Sequence, residues 1–168
     1  MTTASAAIAA SAHASAALLD GVEPALLWKH FAEISAIPRG SKNEEAVALH
    51  VLGVAKRLGL PAERDGAGNV VVRKGATKGR EAAATAILQG HLDMVCEKNS
   101  GTAHDFSKDP IRFVRTGDWV KADGTTLGAD NGIGVAAALA VLESDGVPHG
   151  PLECLFTCLL YTSPSPRD

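Results

Sequence analysis

Two short stretches hold the side chains that could do chemistry. The first is GHLDMV, residues 90–95. In an extended chain, residues i and i+2 lie on the same side. His91 and Asp93 can therefore point together from a strand end, which is where open α/β folds keep their sites. An imidazole placed there can ligate a metal through one ring nitrogen. A carboxylate at the other nitrogen orients the ring and raises its basicity. H-x-D is short and common, however, and on its own it favours a buried histidine with a hydrogen-bonded partner.

The second stretch is GTTLGADNGIGVAAALAVL, residues 124–142, a glycine-rich loop running into a helix with Asp130 at the junction. Neither G-x-G-x-x-G nor G-x-x-x-x-G-K-[ST] is present, and an acid at the junction would repel a phosphate. Two readings stay open. Asp130 is a carboxylate that bridges two divalent metals, with the glycines allowing close backbone approach, or it is the N-cap of the helix.

These residues need elements to hold them. Residues 25–36 have helical spacing, and Pro38 bars continuation. In SKNEEAVALHVLGVAKRLGLP, Ser41 and Glu44 form an S-x-x-E capping box. Val47, Val51, Val54 and Leu58 then make an apolar stripe at helical spacing that faces the core. Glu44 and Glu45 fall in the first turn, where negative charge suits the helix dipole. AERDGAGNVVVRKG predicts a hairpin turning at Asp65-Gly66 and Gly68-Asn69. A buried strand follows at about Thr85–Gly90. IRFVRTGDWVKADG is a second hairpin, around Gly117-Asp118. Residues 131–144 are a small-residue helix, and residues 151–157, PLECLFT, another strand. Strands alternating with helices and hairpins mean an α/β fold with a mixed sheet and flanking helices. Trp28, Phe31 and Leu27 are expected in a core patch. His30 and His50 are read as surface or boundary residues within helices. His104 and His149 are read as loop hydrogen-bonding groups. Glu153 has no evident partner.

Composition narrows the function class. The 168 residues suffice for one domain with a real core. A net charge of −3 supplies no basic field for nucleic acid or an acidic membrane. With aromatics at only 4%, a base-stacking surface is also unsupported. Cys96, Cys154 and Cys158 are scattered without a C-x-x-C, which predicts reduced thiols in a cytosolic, cytoplasmic protein. No apolar run is long enough to span a bilayer. Residues 1–20 carry no Lys or Arg, unlike a signal peptide or mitochondrial presequence. They read as a low-complexity alanine-rich extension.

Taken together, GHLDMV, HDFSKDPI (residues 104–111), GTTLGADNGIG and HGPLE (residues 149–153) resemble the peptidase D branch of the M20 metallopeptidases, the cytosolic aminoacyl-histidine (Xaa-His) dipeptidases. The resemblance runs from near Leu26 to Thr157. It implies a catalytic-domain-like α/β fold of which residues 21–157 are the N-terminal part. It also implies a site with two zinc ions (Zn2+), other divalent metals being acceptable. His91 would bind one ion and Asp130 would bridge both. Asp93, the candidate catalytic residue, would hold His91. Water at the bridge would attack the carbonyl of a small dipeptide, with an inclination towards C-terminal histidine. The bond Asp130–Asn131 is expected in cis. The full-length family is a homodimer formed through an inserted lid domain. Within enzymes, another M20 amidohydrolase such as a deacylase remains an alternative. Outside them, the alternative is a truncated, non-catalytic metal- or partner-binding protein.

The resemblance stops at Cys158. A strand like PLECLFT leads, in this family, into Thr-Glu-Glu-Ala-Gly, whose first glutamate is the general base and whose second binds a metal. Leu160 and Tyr161 stand where that pair is expected. The tail CLLYTSPSPRD also matches, codon by codon, the translation of a transposase-type sequencing adapter. Residues 158–168 are therefore expected to be a non-native tail, and the chain without the glutamate pair is expected to be inactive.

Overall fold

The computed structural model describes residue 10 and residues 12–162. Its frame is a mixed four-stranded sheet in which Ala62–Arg64, Val70–Lys74, Leu152–Thr157 and Ala86–His91 lie side by side in that order. β1 (Ala62–Arg64) and β2 (Val70–Lys74) are the first hairpin. Asp65 closes its turn: its carboxylate accepts from the backbone N–H groups of Ala67 and Asn69, both at 2.9 Å. β2 runs antiparallel to β6 (Leu152–Thr157), and β3 (Ala86–His91) runs parallel to β6. The sheet is thus mixed in direction, as the alternation of hairpins and helices predicts.

Alternation along the strands sets the core face. Val70 and Val72 on β2 pair with Phe156 and Cys154 on β6, and all four are buried. Helix α2 (Glu45–Arg57) lays Val47, Val51 and Val54 into the same core, with Leu58 at its end packed against it. Helix α1 (Ala25–Ser35) packs against helix α3 (Ala129–Glu143), which also covers β3. The second hairpin, β4 (Phe113–Thr116) and β5 (Trp119–Ala122), forms a separate two-stranded sheet. It joins the core through Phe113, stacked on Phe31 with ring centroids 5.5 Å apart. Trp28 meets Phe31 edge-on. Phe31 is thus the centre of the aromatic patch expected around Trp28. Residues 12–17 are helical, and Leu19 belongs to the core.

Two local expectations give way to tertiary contacts. The capping box does not form: Glu44 is the N-cap and no side chain caps the helix. Glu44 Oε1 instead accepts from the Lys42 N–H, and Ser41 turns away to Asp93. Nor is His30 a surface residue. Its ring is fully buried, 3.0 Å from Glu33 on one side and 3.0 Å from Glu143 on the other. Glu153 does have a partner, since Arg73 Nε donates to it at 3.0 Å across the β2–β6 pair.

Glu143, at the end of α3, gathers the helices. Lys29 Nζ on α1 donates to it at 2.8 Å and Arg57 Nη2 on α2 at 2.7 Å. These cations, Arg57 foremost, hold its carboxyl at about 2 against an ordinary 4.5. A carboxylate depressed on folding contributes stability above its unfolded value and loses it as pH falls towards its folded value. Urea unfolding at pH 5 and at pH 2.5 tests this. The loss of stability on acidification is expected to be smaller in Glu143→Gln than in the wild type.

Candidate functional site

β3 ends at His91 and delivers it to the mouth of a cleft. Parallel pairing with β6 carries on one step further, Leu92 N donating to the Thr157 carbonyl at 2.8 Å. The chain then leaves the sheet, which brings Asp93 round beside His91. His91 Nδ1 lies 3.0 Å from Asp93 Oδ1, and both side chains are buried. Asp93 is itself fixed: Ser41 Oγ donates to its Oδ2 at 2.6 Å, and the Leu160 N–H donates to Oδ1 at 3.0 Å. A ring whose Nδ1 donates to a carboxylate keeps the Nε2 lone pair free. That Nε2 points at Asp130, 3.1 Å from Oδ1.

Asp130 comes from the glycine-rich loop. α3 is irregular at its start, with Asp130 at φ −90° and ψ 111° and Asn131 at φ −105° and ψ 31°. The peptide bond between them is cis, as the resemblance implies. Asp130 is not the N-cap. Gly128 holds that position, and no side-chain hydrogen bond caps the helix. Released from capping, the Asp130 carboxylate is 87% exposed and faces the cleft beside a histidine that is 5% exposed. The cleft measures about 300 Å³ and is lined by His91, Asp93, Thr126, Asp130 and Leu160 among others. The donor set suits a divalent cation, because one imidazole nitrogen and one carboxylate converge with the outer nitrogen already held by a second carboxylate.

No protein-family model matches the chain. Over 139 residues it is 54% identical to the cytosol non-specific dipeptidase of Escherichia coli strain K12, a span of 83% of this chain and 29% of that protein. The crystal structure of aminoacylhistidine dipeptidase from Vibrio alginolyticus superposes with a TM-score of 0.83 at 48% identity, over 84% of this chain and 29% of that one. Both matches support reading these residues as part of an M20 peptidase of the peptidase D type. A Staphylococcus aureus tripeptidase shares the fold, with a TM-score of 0.63 at 24% identity. The chain spans less than a third of the length of either dipeptidase.

Within this peptidase D frame the tertiary structure adds a residue that sequence reasoning missed. Arg39 is 2% exposed, and its guanidinium joins the two loops of the site. Nη1 donates to the carbonyls of Leu92 at 3.1 Å and Asp93 at 3.3 Å; Nη2 donates to the Gly128 carbonyl at 2.6 Å. Burial pulls its pKa down to about 10, with Asp93 acting in the other direction, so the side chain stays cationic at neutral pH. The motif glycines make room for it. Gly128 sits at φ +70°, a region that favours glycine, and a Cβ there would come within 2.5 Å of Arg39 Nη2 and 2.8 Å of Met94 Sδ. A Cβ on Gly132 would meet the same Nη2 at 2.8 Å. The only sequence signal for Arg39 is its place in PRGS, just before Ser41, which itself holds Asp93.

The remaining candidates fall elsewhere. His104 is buried with its ring edge-on to Phe106, and its carbonyl accepts from Lys98 Nζ at 2.7 Å. His149 Nδ1 donates to the Gly150 carbonyl at 2.7 Å, and its backbone is tied to Thr77. His149 bonds within its loop, as its sequence context suggests, whereas the His104 ring packs on Phe106 and its Nε2 has no hydrogen-bond partner among the described residues. Neither lines the cleft. Leu160 does line it, so the position expected for the general base lies at the site but offers no titratable group.

Proposed function

We propose that the whole protein hydrolyses small unblocked dipeptides, with a preference for C-terminal histidine, at a two-zinc centre of which this chain supplies one side. The observation that carries the reading is the relay Asp93–His91–Asp130, in which two contacts of 3.0 and 3.1 Å aim the His91 ring and an exposed carboxylate at one point. In this reading His91 and Asp130 would hold the metal ions between them, their facing atoms lying 3.1 Å apart. When bound, divalent zinc polarises the scissile carbonyl and lowers the pKa of water. The chain's own residues do the positioning. Asp93 keeps the proton on His91 Nδ1, Ser41 fixes Asp93, and Arg39 sets the separation of the two loops. The general base and the remaining metal ligands belong to residues beyond Thr157 in the complete gene, where Leu160 and Tyr161 stand here. Residues 158–168 are, in the same reading, not native, and the complete protein is a cytosolic homodimer.

The test is metal removal from the product of the complete gene. Chelation is expected to abolish release of histidine from an Xaa-His dipeptide, and added Zn2+ to restore it. Undiminished hydrolysis after the metal has been stripped, with metal content confirmed by elemental analysis, would sink the proposal.

A further inference from the structure

The three helices enclose a second set of ligand-type side chains, none of which belongs to the cleft. His30 and Glu33 stand one helical turn apart on α1, a spacing that puts both on one face. His50 reaches them from α2. Glu33 Oε2 is 3.0 Å from His30 Nδ1 and 3.6 Å from His50 Nε2. All three ligand atoms lie within 4.8 Å of one another. A tetrahedral zinc ion with bonds of about 2.0–2.1 Å separates its ligand atoms by roughly 3.3 Å. The two distances to Glu33 bracket that value.

The surroundings favour an ion at this point. The other nitrogen of His30, Nε2, lies 3.0 Å from Glu143 Oε2, an ion-pair contact rather than an aligned hydrogen bond. A carboxylate on the outer nitrogen favours a proton there, and this is how metal-bound histidines are commonly held. Nδ1 then presents a lone pair to the Glu33 oxygen, and two acceptors 3.0 Å apart need a cation or a proton between them. His50 Nε2 is a buried nitrogen with no hydrogen-bond partner among the described residues. Burial also lowers the pKa of His50, which disfavours the charged ring. An ion can enter from solvent, since the Glu33 side chain is 36% exposed and that of His50 23%. Lys29 and Arg57 are occupied by Glu143, on the far nitrogen of His30.

We propose that His30, Glu33 and His50 form a structural site for a divalent ion of the zinc class, which ties α1 to α2 independently of the catalytic centre. Co2+ reports such a site by its visible absorption. The 168-residue chain carrying His91→Gln and Asp130→Asn, which removes the cleft ligands, is titrated with Co2+ after chelation. One equivalent is expected to bind with the intense band of a four-coordinate ion, and Zn2+ is expected to displace it. Adding His50→Gln to that background is expected to weaken binding at least tenfold while the circular dichroism spectrum is unchanged. If His50→Gln disturbs folding, Glu33→Gln serves as the second variant. Absence of a Co2+ band in the cleft-ablated chain would overturn the proposal. So would unchanged affinity in both ligand variants, the result expected of a proton-bridged histidine network.

Discussion

Replacing Asp130 by Ala in the product of the complete gene is expected to lower kcat/KM for an Xaa-His dipeptide by roughly 10³-fold or more, because the proposed shared metal ligand and its charge would be lost together. The prediction is graded, which makes it informative. Asp93→Asn retains the shape of the side chain and an oxygen acceptor for His91 Nδ1, but removes the charge that makes the ring a better ligand. Its cost is expected to be about 10- to 100-fold in metal affinity. Ser41→Ala, which deletes only the 2.6 Å donor to Asp93, should cost less again. Steady-state kinetics and metal titration of the three variants check the order. An Asp130 variant with near wild-type kcat/KM would remove the carboxylate bridge from the mechanism.

The second large effect is expected at Arg39. Truncation to Ala leaves the carbonyls of Leu92, Asp93 and Gly128 without their donor in a buried place. Hydrogen bonds to a charged donor contribute about 1.5–3 kcal/mol each, and they are not additive within one group. A loss of roughly 3–5 kcal/mol in unfolding free energy is therefore expected, read from urea denaturation. Arg39→Lys is a sharper probe. An ammonium retains the charge but cannot reach both loops with a planar fork. This variant is expected to fold yet to bind metal more weakly at His91 and Asp130. An Arg39→Lys variant of unchanged metal affinity would limit Arg39 to a general contribution to stability.

Much of the frame was legible because it follows local rules. The valine stripe of α2, the Asp65 turn and the alternation on β2 and β6 are periodic patterns whose physical cause lies within a few residues. Local rules failed where a distant partner offered more. Ser41 matches a capping box in sequence, yet its hydroxyl is taken by the buried Asp93, because a buried carboxylate gains more from a donor than a solvent-facing helix end does. His30 reads as ordinary on its own helix, and only the packing of α3 places Glu143 against its far nitrogen.

The sequence by itself singled out the side chains that are proposed to carry the chemistry. His91 and Asp93 are tied by the two-residue period of an extended chain, Asp130 is marked by its glycine-rich loop, and their motifs carry the resemblance to one peptidase family. The tertiary structure decided what joins them. Parallel pairing of β3 with β6 brings the 90–95 segment to the mouth of the cleft, and α3 packing sets the 128–131 loop opposite. Arg39 is distant from both in the chain and carries no motif of its own. It becomes visible only once the loops have closed round it, because no periodicity encodes a hydrogen bond between residues 53 and 89 positions apart.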